Sequence, residues 1–197
     1  MKNYNYDRNN IYKDFERLPK GGYILKILQV KYEEGQNGNS DKLRLMVDIA
    51  EGEHSDFFKK QYEADTREDK KWRGVVEIWC PKNDGSEKDG WTQKTFNTCF
   101  AAIEDSNPGF RFDGVHEDSL KGKKVGGVYY REDYTKDGKA RENYKFHKTL
   151  VTVDAINKGT YKTPDDKILK TENAPTVSTD AEGFINIPTG VEEELPF

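Results

Sequence analysis

Between Lys121 and Lys148 nine cations are interleaved with five Tyr or Phe rings. Cations at this density neutralise phosphates and release their counterions. Flat rings stack on unpaired bases at about 1–3 kcal/mol per base, whatever the base. The mixture therefore suits the holding of a single nucleic-acid strand. A core reading competes, because Tyr and Phe in strands commonly pack inward or against a cross-strand neighbour. The candidates from this stretch are Lys123, Tyr129, Tyr130, Arg131, Tyr134, Lys136, Lys139, Arg141, Tyr144 and Lys145. A second mixture lies upstream in Lys26, Lys31, Tyr32, Lys42 and Arg44, followed by Trp72, Arg73 and Trp79. At least one of Trp72, Trp79 and Trp91 is expected to be buried, since each has a core placement as a strong alternative.

Catalytic patterns are weak by contrast. His54, His116 and His147 are far apart and lack metal-ligand spacing. The run from Leu120 to Gly127 fits neither a P-loop nor a dinucleotide-binding glycine pattern. A nuclease needs clustered carboxylates; acids are plentiful, and Asp48, Glu51, Glu77 and Asp84 are nominal candidates, but solvated surface acids are the favoured account. No cofactor, no metal and no catalytic residue is called for, so the expectation is a protein that is not an enzyme.

The elements that must position these residues read mostly as strands. Tyr23 to Tyr32 alternates, with Ile24, Lys26, Leu28, Val30 and Tyr32 on one face and Tyr23, Leu25, Ile27, Gln29 and Lys31 on the other. The turn-rich stretch Glu33–Asp41 leads into Lys42–Glu51, where Leu43, Leu45, Val47 and Ile49 share a face. These two runs predict an antiparallel hairpin. Phe57, Phe58 and Tyr62 fit a strand or a helical turn. Trp72–Cys80 reads as a strand and Lys82–Gly90 as a loop. Thr92–Asn107 reads as a helix with Thr92 as N-cap, because Phe96, Cys99, Phe100 and Ile103 form one stripe. Strands follow at Leu120–Tyr130 and Tyr144–Val153, with a Lys136-Asp137-Gly138 turn between them. Four or five strands with a helix set between the earlier and later ones predict an all-β class, an OB-fold-like barrel of five strands with one or two inserted helices. An incomplete β-sandwich would give a similar string.

Charge divides the chain. Residues 164–197 carry eight acids against two bases, while the rest is net +2, within a total of −4. Hydrophobic content is 34%, low enough to imply a solvated segment, whereas aromatics at 12% argue against disorder throughout. The expected organisation is an N-terminal arm over 1–20, with a short helix near Ile11–Leu18, then a barrel domain over 21–161. A disordered linker over 162–190 and an acidic tip over 191–197 follow. Cys80 and Cys99 suit reduced thiols, and no apolar run resembles a signal peptide or a membrane span. A cytoplasmic protein without membrane contact is expected; its oligomeric state, including a homo-oligomer, stays open.

The final residues Glu192, Glu193, Glu194, Leu195, Pro196 and Phe197 form an acidic run before an aliphatic-Pro-Phe ending. This resembles the tip of bacterial single-stranded DNA-binding proteins, with Glu where Asp is usual and Leu195 where Ile is common. The body is similar to phage-encoded single-stranded DNA-binding proteins at Leu18–Tyr23, Asp69–Val75, Asp89–Thr92 and Leu120–Lys123. The resemblance implies sequence-independent single-stranded DNA binding in DNA replication or recombination, in a bacterial host cell. It also implies recruitment of partner proteins by the tip, where a ring and a terminal carboxylate would meet an apolar pocket with a basic rim. A metal-dependent nuclease, a protein-only adaptor or structural phage component, and RNA binding by the same face are the alternatives.

Overall fold

A computed structural model describes residues 17–36 and 38–169 of the chain. The helix expected near Ile11–Leu18 lies outside the described residues except for Arg17 and Leu18, which are not helical. The greater part of the expected linker and the whole tip lie outside them too.

Strands β1 (Gly21–Glu33) and β2 (Lys42–Ile49) form the expected antiparallel hairpin. On β2 the alternation holds: Leu43, Leu45, Val47 and Ile49 are all buried. On β1 it does not. The pairing with β2 shifts between Ile27 and Gln29, leaving Leu28 as the extra residue of a bulge. That extra residue brings Leu25, Ile27 and Val30 into the core together, which a strict period of two assigns to opposite faces. It also puts Gln29, Lys31 and Glu33 outward, beside Met46, Arg44 and Lys42 of β2.

Strand β3 (Val75–Trp79) pairs with β2, β4 (Lys124–Arg131) with the other edge of β1, and β7 (Tyr144–Phe146) with β4. The order is β3-β2-β1-β4-β7, every pair antiparallel, and β7 packs back against β3. The sheet thus curls into a nearly closed barrel of five strands, the OB-like architecture expected. Strands β5 (Tyr134–Lys136) and β6 (Lys139–Arg141) make a separate hairpin between β4 and β7. Asp137 and Gly138, at φ 53° and 69°, supply the left-handed pair that its tight turn requires.

The long helix falls between β3 and β4, as the sequence implies, but it starts earlier. Helix α2 spans Glu87–Ser106, and Ser86 rather than Thr92 is its N-cap, accepting from the Asp89 backbone N–H at 3.1 Å. The Thr92 hydroxyl donates back to the Lys88 carbonyl. Glycine and turn residues over 82–90 hide this first turn in the sequence, while Glu87 and Asp89 complement the helix dipole there. The stripe Cys99, Phe100 and Ile103 is buried as expected. Helix α1 (Phe57–Ala64) settles the ambiguous Phe57–Tyr62 stretch as helix. Its cap comes from another element: the buried Asp48 carboxylate of β2 accepts from the Phe58 and Lys59 backbone N–H groups at 2.9 and 3.0 Å. Burial pushes the Asp48 carboxyl upward, against the pull of those donors.

The last expected strand is shorter than its sequence run. β7 stops at Phe146, and Thr152 caps a short helix α3 (Val153–Lys158). The chain then crosses back: Tyr161 holds the Gly22 N–H, and Lys167 exchanges backbone bonds with Arg131 and Asp133. Leu18, from the expected arm, sits in the core at 1% exposure with Leu25, Ile27 and Leu120. Burying each such side chain stabilises the fold by about 1.5–3 kcal/mol. Among the described residues no helix is long and apolar enough to cross a membrane.

Candidate nucleic-acid interface

The register of β1, β2 and β3 arranges their outward side chains in three rows. One row is Glu33, Lys42 and Trp79; the next Lys31, Arg44 and Glu77; the third Gln29, Met46 and Val75. Each row exists because antiparallel partners directly opposite one another project to the same side. The third row and Trp72 enclose a shallow groove of roughly 200 Å³, rimmed by Lys31 and Arg44.

Trp72 is fixed there by its backbone surroundings. Its indole N–H lies 3.0 Å from both the Val47 and the Gly74 carbonyl oxygens. Gly74 permits this approach, since a Cβ at that position would stand 2.2 Å from the Val47 oxygen. The ring is half-buried, touching Tyr62, whose own face carries the Lys70 ammonium at 4.6 Å. Trp79 lies at the far end of the face, 41% exposed, with the Lys42 ammonium 5.5 Å from its centroid. Trp91, at the start of α2, is 64% exposed. None of the three tryptophans is fully buried, contrary to expectation: the bulged β1 and the small residues of β4 let aliphatics fill the interior, and Trp72 reaches only its margin.

The cations of this face are held by acids. Glu33 lies 3.4 Å from Lys31, 3.6 Å from Lys42 and 3.7 Å from Arg44. Lys42 also binds Glu77 at 2.8 Å. Those cations hold the Glu33 carboxyl below its ordinary range, against a desolvation effect that acts the other way. Lys31 and Arg44 keep 72% and 47% of their side chains in solvent despite these contacts, so both can meet a phosphate. Tyr32 closes the strand end instead, donating to Asp41 at 2.6 Å, a bond that drives its hydroxyl up to about 12.

The second hairpin is organised differently. Tyr130 is 5% exposed, its hydroxyl on Glu132, and has no face to offer a base. Tyr129 is half-buried against Phe146, and burial pushes its hydroxyl up to about 12. Tyr144 is engaged by the Arg17 guanidinium at 4.5 Å and by Tyr129. Arg131 is forked onto Asp133 at 2.7 and 2.8 Å and also meets Glu142, while Lys145 is paired with Glu132. The cause is that β4 is covered on both faces: Tyr129 packs on the barrel core and across to Phe146, while Tyr130, on the opposite face, is buried against His147. The β5–β6 hairpin presents its members outward, with Tyr134 at 47% and Lys136, Lys139 and Arg141 all exposed. Lys26 is exposed on the other half of β1, opposite Lys124. Lys123 covers the Phe110 ring at 4.5 Å, and Arg73 is exposed beside Trp72 in sequence. The structure therefore gathers Lys31, Arg44, Trp72 and Trp79, and leaves Tyr130 and Arg131 committed internally, while Lys145 pairs with Glu132 but keeps 49% of its side chain in solvent.

Met46, Val75 and Glu33 complete the face and were not singled out in the sequence, and Glu77, named there only as a nominal carboxylate, joins them. Pairing register alone would have found them, once β3 was aligned with β2. The nominal carboxylate candidates do not converge: Asp48 caps α1, Glu51 binds Lys124, Glu77 binds Lys42 and Asp84 accepts from Ser86. Among the described residues no group of three or more His, Cys, Asp or Glu could hold a metal ion. No family model and no curated protein matches the chain.

Proposed function

We propose that this protein binds single-stranded DNA without regard to sequence, in DNA replication or recombination, as its resemblance to phage-type single-stranded DNA-binding proteins implies. One observation carries the reading: an exposed Trp79 and a half-buried Trp72 share one barrel face with the solvent-facing Lys31 and Arg44. Bases lie against the rings, phosphates exchange with Glu33 and Glu77 for the cations, and the apolar floor of Met46 and Val75 tolerates any base. The β5–β6 hairpin, with Tyr134, Lys136, Lys139 and Arg141, supplies a second set of contacts from the loop side of the barrel. The closing segment Glu192–Phe197, outside the described residues, is assigned to the recruitment of partner proteins.

The test is a tryptophan-fluorescence titration with oligo(dT) over a series of salt concentrations. Quenching is expected, with an affinity that falls as salt rises at a log–log slope of about −3.5 for about five neutralised phosphates. Absence of binding at low salt would overturn the reading. Competition between dT and rU oligomers decides which sugar is preferred.

A further inference from the structure

A second cleft opens where the barrel face ends. It lies between the β1–β2 loop at Gly38–Ser40, the β3–α2 connection and the first turns of α2, and holds about 510 Å³. That volume falls within the range of small-molecule sites, roughly 300–1,000 Å³. Trp79 and Trp91 both line it, and they are the two most exposed of the three tryptophans. Trp79 also belongs to the outer row of β1–β2–β3, so the cleft adjoins the barrel face at that row.

Its charges suit a phosphate chain. Lys82, Lys88 and Lys148 line it, and the Lys94 ammonium stands 5.1 Å from the Trp91 centroid. Two acids, Asp84 and Asp89, line it too, but both are engaged with backbone: Asp84 accepts from the Ser86 N–H and Asp89 from the Lys82 N–H. Lys82 reaches across to the Gly38 carbonyl, tying the two loops that form the walls. From Val75 to Trp79 the strand advances about 13 Å, so the two ring sites suit separate nucleotides of one strand.

We infer that this cleft is a second base-stacking subsite, in which Trp91 and Trp79 take unpaired bases and carry single-stranded DNA from the barrel onto helix α2. The inference rests on the proposed function. An exposed Trp on a helix otherwise costs solubility for nothing, and here it stands over lysines in a pocket that adjoins a cationic face. Cations and stacking rings together match a nucleotide better than they match an apolar peptide.

The experiment compares wild type with Trp91→Ala and Trp91→Phe on labelled oligo(dT) of roughly 6 and roughly 20 nucleotides. Trp91→Ala should weaken binding of the long oligomer by about tenfold and change the short one by less than about twofold. Trp91→Phe, which keeps a flat ring, should recover most of the loss. Retained binding of the short oligomer reports an intact barrel. Equal affinities of Trp91→Ala and wild type on the long oligomer would overturn the subsite while leaving the barrel-face reading intact. A rise in affinity on Trp91→Ala would also overturn it, by assigning the cleft to the chain's own acidic tip as a competitor. Failure of wild type to bind either length would defeat the function itself.

Discussion

The two hairpins of the barrel contain the same residue types and use them in opposite ways. On β1–β2, continued by β3, the aliphatics point in and leave Lys31, Arg44 and Trp79 at the surface. On β4–β7, Tyr130 is buried, Tyr129 and Tyr144 pack on each other, and Arg131 is neutralised by Asp133 and Glu142, leaving Lys145, paired with Glu132, as the cation that keeps half its side chain in solvent. The difference lies in the acids and in the packing. A ring next to a cation is a binding site only if the ring has an open face and the cation an exchangeable partner. Glu33 meets that second condition at the rim of a groove; Asp133, only 3% exposed in its side chain, does not.

The comparison breaks most sharply at Tyr130. Tyr130→Ala removes a buried ring and leaves Glu132 with one partner fewer, so it should destabilise the fold by about 3–5 kcal/mol. Urea unfolding measures this, and the affinity of the folded fraction for oligo(dT) should not change. A stable Tyr130→Ala variant with impaired DNA binding would reverse the roles assigned to the two hairpins. The reciprocal change is Lys31→Glu with Arg44→Glu. Both side chains are largely solvated, so the unfolding midpoint should move little, while affinity should fall about a hundredfold at low salt, since two favourable phosphate contacts become repulsive. An undiminished affinity would remove this face from the proposed DNA path.

Much of this fold was legible because its signals are local. The clean alternation of Leu43, Leu45, Val47 and Ile49 fixed β2, and Lys136-Asp137-Gly138 marked a turn, although the separate β5–β6 hairpin around it was not expected. The stripe Cys99, Phe100, Ile103 fixed the helix between β3 and β4. What stayed hidden was set by pairs distant in sequence. The bulge at Leu28 is defined by β2, not by β1 itself, and it decides which side of the barrel Lys31 faces. The cap of α1 comes from Asp48, ten residues before the Phe58 amide it holds. For the candidate site the same limit applied. Lys31, Arg44, Trp72 and Trp79 were legible by type, but the weight placed on Tyr129, Tyr130 and Arg131 came from composition, which cannot tell a covered ring from an open one. Trp91 was one of three tryptophans of which at least one was expected to be buried, and the α2 start at Glu87 puts it in the first turns, 64% exposed.

The smallest expected effect is the one that sharpens the comparison most. Glu33 stands within 4 Å of three cations on the proposed DNA face, and binding a strand must displace it. Exposed pairs of this kind contribute little to stability, so they are easily exchanged but not free of cost. Glu33→Gln should therefore raise affinity for oligo(dT) about threefold and steepen the salt dependence, because the released cations then gather counterions that DNA must expel. A change of one unit in net charge would by itself raise affinity slightly. Asp154→Asn supplies that control: it removes the same charge from α3, where the carboxylate pairs with Lys158. If both variants gain equally, Glu33 acts only through net charge, and the first hairpin loses the exchangeable partner that separates it from the second.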